Sequence, residues 1–128
     1  MMASTSIQQE DDMKYLALLY ADESKTPDPD SPEMNQRLEA YGQFFQEITS
    51  AGVMTGGDPV QISSTSTTVR AHNGSVERTA GPFSPGGEQV IGFYLFECAS
   101  DDEAIGWAAK IPAAKYGAVE VRPILALE

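Results

Sequence analysis

Apolar residues along this chain switch between two spacings, and each switch marks a change of element. Lys14 to Tyr20 (KYLALLY) is short, apolar and aromatic and stops at Ala21-Asp22-Glu23-Ser24, which predicts a buried strand. The Pro/Asp pairs between Lys25 and Ser31 predict a loop. Met34, Leu38, Tyr41, Phe45 and Ile48 then recur at alternating four- and three-residue steps, so they share one face of a helix that should be buried. Ser31 can cap the first amides, Pro32 suits the first helical position and Gly52 supplies a left-handed stop, which sets this helix at Pro32 to Ala51.

Beyond Gly52 the pattern is broken by glycine as far as Pro59, and Val60 to Ile62 reads as a brief strand. Thr67–Ala71 and Ser75–Thr79 are β-prone and flank His72-Asn73-Gly74, a strong hairpin signal. Gly81 to Gly87 is a loop of breakers, and Ile91 to Cys98 (IGFYLFEC) is a second apolar strand. Ser100 with Glu103 forms a capping box, and the helix it opens carries Ala104, Trp107, Ala108 and Ile111 on one side and ends before Pro112. Ala118 to Leu125 alternates as a last strand, with Pro123 placing it at an edge or bulge.

The order strand, helix, hairpin, strand, helix, strand implies an α+β, ferredoxin-like fold: a double β-α-β with an inserted hairpin and two helices on one face of an antiparallel sheet. The other face would present either Tyr94 and Phe96 or Phe93 and Leu95, both too apolar for water. The expected partner is therefore a second copy, sheet to sheet, in a homodimer.

Composition narrows the function classes. The chain has 128 residues, 41% of them hydrophobic, which makes one core. Its formal net charge of −11 disfavours nucleic-acid and anionic-membrane partners. Met1 to Asp12 is polar and acidic and reads as a disordered or tag-like leader, not a signal peptide, so the single domain is expected over residues 13–128. No apolar run approaches the roughly 18 residues of a membrane helix. Cys98 is the one cysteine, which excludes an internal disulfide, offers no metal cluster and fits a cytoplasmic setting. The sequence calls for no cofactor.

Few residues offer chemistry. His72, the one histidine, sits at the hairpin tip, where a solvated turn residue is expected. Cys98 closes an apolar strand with no neighbouring base or cation to make a thiolate. Glu120 and Arg122 lie two apart in the last strand and so share a face, where they could hold a polar or anionic ligand or form an ion pair across a dimer. Asp58 and Glu88 stand at loop–strand junctions, positions that often border pockets.

Met13 to Tyr20, Gly81-Pro82-Phe83, Glu88 to Leu95, Glu103 to Pro112 and Tyr116 to Pro123 together resemble the YCII-related family, and most of all its DGPF branch. The resemblance implies a dimeric α/β-barrel fold. It also implies kinship with an enzyme that eliminates chloride from a chlorinated aromatic ring and, by fold, with muconolactone isomerases. The motif's aspartate position holds Ala80, the acid and lysine expected after it are replaced by Ser84 to Gly87, and no histidine stands in the first strand or helix. The His–Asp acid–base pair of the wider family therefore does not carry over. The framework that does comprises Gly81, Pro82, Phe83, Glu88, Gln89, Tyr94, Glu120 and Arg122, and together with Asp58 the candidate pocket is Asp58, Pro82, Phe83, Glu88, Tyr94, Glu120 and Arg122. The expected function is a non-catalytic dimeric module that binds a small molecule or a partner. The alternative is a lyase or isomerase acting on a small aromatic or lactone-like substrate in a cleft on the open sheet face, with Asp58 or Glu88 as base and Arg122 holding substrate charge.

Overall fold

Helix boundaries follow the local signals. In the computed structural model, which describes residues 12–127, the Met34 amide donates to Ser31 Oγ at 3.1 Å, and Gly52, at φ 72°, donates its amide to the Ile48 and Thr49 carbonyls. The expected leader lies outside the described residues except for Asp12. The elements are β1 (Met13–Asp22), α1 (Pro32–Ala51), β2 (Met54–Pro59), β3 (Thr67–His72), β4 (Ser75–Ala80), β5 (Glu88–Cys98), α2 (Asp101–Ala109), α3 (Ala113–Tyr116) and β6 (Ala118–Pro123). Single 3-10 turns lie at Glu23–Lys25 and Ser63–Thr65.

Four strands form an antiparallel sheet in the order β2-β5-β1-β6. This is the ferredoxin-like arrangement, with the β3–β4 hairpin inserted between its second and third strands. The hairpin pairs only with itself, as a separate two-stranded ribbon whose residues are nearly all exposed. Pro123 falls on β6, an edge strand, where its missing N–H costs the ladder nothing.

Alternation along the central strands sorts the sheet into two faces. Tyr15, Ala17 and Leu19 of β1 and Phe96 and Cys98 of β5 point under the helices and meet Phe44, Ile48, Ala104, Ala108 and Ile111, all buried. The opposite face carries Leu16 and Leu18 of β1 beside Leu95 and Phe93 of β5, so of the two apolar sets expected there it is Phe93 and Leu95. Ser100 Oγ accepts the Glu103 amide, and Glu103 reaches back one residue further than the usual capping box, to the Ala99 amide at 2.9 Å.

Three expectations need correction. The second strand is Met54–Pro59 and not Val60–Ile62: the glycine-rich stretch pairs along the edge of β5 through a bulge, and sheet pairing there overrides a poor intrinsic preference. The buried face of α1 is rotated: Phe44 and Ile48 are buried and Tyr41 half-buried, while Leu38 and Phe45 remain 61% and 51% exposed. Finally, three helices rather than two occur, because the chain resumes a helical turn straight after Pro112 and buries Ala113.

Candidate functional site

The exposure of Leu38 and Phe45 has a structural cause. Together with Tyr41 they form one wall of a groove of about 610 Å³ between α1 and the β2–β5 edge of the sheet, on the helix-covered face. Leu19, Met54, Ile91, Tyr94 and Tyr116 form much of the remainder.

Three glycines line this groove, one leaving space and two letting β2 and β5 pack closely. Gly42 sits in the middle of α1, and a side chain built there would meet nothing within 4 Å. Glycine inside a helix costs roughly 0.5–1 kcal/mol relative to alanine, so α1 gives up stability where the groove needs room. Gly57 has φ 150°, and a Cβ there would lie 2.6 Å from the Phe93 carbonyl oxygen and 2.8 Å from Tyr94 Cδ1. Only glycine lets β2 lie this close to the Tyr94 ring. Gly92 is the third, its missing Cβ 3.1 Å from the Asp58 carbonyl oxygen.

Phenols supply most of the groove's side-chain polarity. The Tyr41 and Tyr116 hydroxyls are 2.6 Å apart and share one hydrogen bond. The Arg37 guanidinium lies 3.6 Å from the centroid of the Tyr116 ring, a cation–π contact that holds the ring from outside the groove. Tyr94 is fixed edge-on to Phe44, with centroids 5.3 Å apart, and stacks on Phe96 at 6.3 Å, yet its hydroxyl has no hydrogen-bond partner among the described residues. Burial, then the bond to Tyr116, holds the Tyr41 phenol well above its ordinary range, and burial raises that of Tyr94. Both stay protonated at neutral pH.

The residues singled out from sequence fall in separate places. Asp58 and Tyr94 both line the groove. The register pairs Asp58 with Phe93, on the opposite face of the strand pair from Gly57 and Tyr94. Pro82 and Phe83 lie in the loop before β5, where Phe83 is 70% exposed and its ring centroid is 5.2 Å from the Arg70 guanidinium of the hairpin. Glu88 is exposed at the start of β5, opposite Asp22. Glu120 and Arg122 form an ion pair on the open face, where Tyr20 Oη also donates to Glu120 at 3.2 Å. His72 closes β3 next to the turn, exposed, and Cys98 is buried, with burial pushing its thiol up. Tyr116, Gly42 and the true placement of Tyr41 escaped the sequence reading. A glycine in the middle of a strongly periodic helix, next to Tyr41, was the available signal.

Among the described residues no cluster of three or more His, Cys, Asp or Glu could hold a metal ion, and no helix is long and apolar enough to cross a membrane.

Residues 13–128 match the family model described as the YCII-related domain. The chain is also similar to "Uncharacterized protein R00369" of Rhizobium meliloti (strain 1021), with 32% identity over 114 residues that cover 88% of this chain and 92% of the relative. The chain belongs to the YCII-related family.

Proposed function

We propose that this YCII-related chain is a non-catalytic binding module that takes a small, mainly apolar molecule in the groove between α1 and the β2–β5 edge. Gly42 carries this reading. This glycine costs α1 stability and, unlike Gly106 of α2, which also meets nothing within 4 Å, borders the groove and leaves room there for an occupant. The volume lies within the range typical of ligand pockets, and the lining is apolar with a few fixed polar groups. Protonated phenols are poor acids and bases at neutral pH, which favours binding over a lyase or isomerase step. The unit is a cytoplasmic homodimer in this reading, because Leu16, Leu18, Phe93 and Leu95 form a continuous apolar strip on the helix-free face that a second copy would cover.

Gly42→Phe and Gly42→Ala test the groove with the neutral fluorescent probe N-phenyl-1-naphthylamine. The alanine variant should gain about 0.5–1 kcal/mol in urea unfolding and keep probe binding. The phenylalanine variant should stay folded and lose it. Undiminished probe binding in folded Gly42→Phe would overturn the proposal.

A further inference from the structure

We infer, resting on that reading, that the groove selects a neutral ligand that presents a hydrogen-bond acceptor, of the aromatic carbonyl class, to its phenol cluster. The count of hydroxyl protons leads there. Tyr41 and Tyr116 share one hydrogen bond, which uses one of their two protons and leaves the other unspent. Tyr94 adds a second unspent proton in the same groove. No buried side-chain polar atom among the described residues lacks a partner, so these hydroxyls reach solvent, and an acceptor on a ligand would take their spare protons in place of water. A carbonyl oxygen has two lone pairs and accepts two such donors.

Charge and shape narrow the class further. Among the described residues no lysine or arginine lines the groove, the Asp58 side chain belongs to the opposite face of the strand pair, and the chain as a whole carries −11. An anion would enter against that field, and Arg37, behind the Tyr116 ring, is already paired with Glu33. The flat walls of Tyr41, Phe45 and Tyr94 suit a ring, and the rigid stack of Tyr94 between Phe44 and Phe96 holds its hydroxyl in one place without loss of freedom on binding.

Competition against N-phenyl-1-naphthylamine separates these features. Benzophenone, which has the carbonyl, should bind about ten-fold more tightly than diphenylmethane, which has the same rings without it. The anionic 4-benzoylbenzoate should bind more weakly than benzophenone. Tyr94→Phe keeps the ring and removes the proton, so it should shrink the ketone-to-hydrocarbon ratio several-fold while leaving diphenylmethane binding unchanged. Equal binding of ketone and hydrocarbon, with both abolished in Gly42→Phe, would overturn the acceptor inference and leave the groove proposal standing. A Tyr94→Phe variant with an unchanged ratio would also overturn it. If neither compound displaces the probe and Gly42→Phe binds the probe as well as the parent chain, the groove itself is not a site and both readings fall.

Discussion

The two faces of the sheet are written by alternate residues of the same strands, yet they are built to different ends. Under the helices, Phe96 and Tyr94 are locked in a ring stack that continues to Phe44 and Trp107, and a groove opens beside it along the β2–β5 edge. On the far side, Phe93 and Leu95 meet Leu18 and Leu16 as a plain apolar strip, bordered by Tyr20, Glu120 and Arg122. One face is finished within the chain and shaped around a space. The other is smooth, and its polar groups already satisfy one another, which suits a flat contact better than the capture of a small molecule.

The largest test of this contrast compares neighbours in β5. Phe96 is 0% exposed, so Phe96→Ala should cost about 3–5 kcal/mol in denaturant unfolding. Leu95→Ala, one residue earlier and on the open face, should cost the isolated fold only about 1 kcal/mol and, if the proposed dimer forms, lower the mass seen in light scattering from twice the 13.8 kDa chain towards the single chain. Equal unfolding costs with no change in mass would break the comparison.

A second effect appears in alkali. Tyr15 Oη donates to Asp101 Oδ1 at 2.6 Å, and that bond, with burial, pushes the Tyr15 phenol up to about 12. An unfolded tyrosine titrates near 10. The unfolded chain therefore loses its proton first, so this contribution is fully present below pH 10 and is lost as pH rises from about 10 to about 12. Urea unfolding between pH 9 and 11.5 should show stability falling in that window, with a shallower fall in Tyr15→Phe. An identical slope in the variant would show that the Asp101 bond is not what raises the phenol.

The smallest effect is expected at Arg122. Its side chain is 70% exposed and that of Glu120 39%, so Arg122→Ala should change the stability of the single chain by no more than about 0.5 kcal/mol. Any larger effect should appear in dilution experiments on the proposed dimer. A substantial loss in unfolding at a concentration where the chain is monomeric would mean that the pair supports the fold and not the contact.

How far these features could be read from the sequence depended on how local their causes are. Ser31, Pro32 and Gly52 delimit α1 through bonds within a few residues, and those signals were legible. The Asn73-Gly74 turn, with Asn73 at φ 50° and Gly74 at φ 82°, is equally local. β2 was missed because Thr55-Gly56-Gly57-Asp58 has little strand preference of its own and becomes a strand only against the edge of β5. The face of α1 was misread for a related reason: periodicity identifies apolar residues but cannot tell a core from a groove, and Leu38 and Phe45 border the second. The phenol cluster gathers residues 41, 94 and 116 from three elements, a long-range fact that no spacing announces.

The self-paired β3–β4 ribbon closes on itself at its root, where the Gly81 amide donates to the Ser66 carbonyl at 2.7 Å and Thr68 Oγ1 donates to the Gly81 carbonyl at 2.9 Å, and the turn before it is tied back by Ser63, whose amide and hydroxyl donate to the Glu23 carboxylate at 2.8 and 2.6 Å. Because the sheet's hydrogen-bond ladder does not pass through it, its amides can exchange with solvent while those of β1 and β5 stay protected. The same separation makes its tip, at Asn73-Gly74, the place where the chain can accept an inserted epitope or fluorophore without disturbing the core.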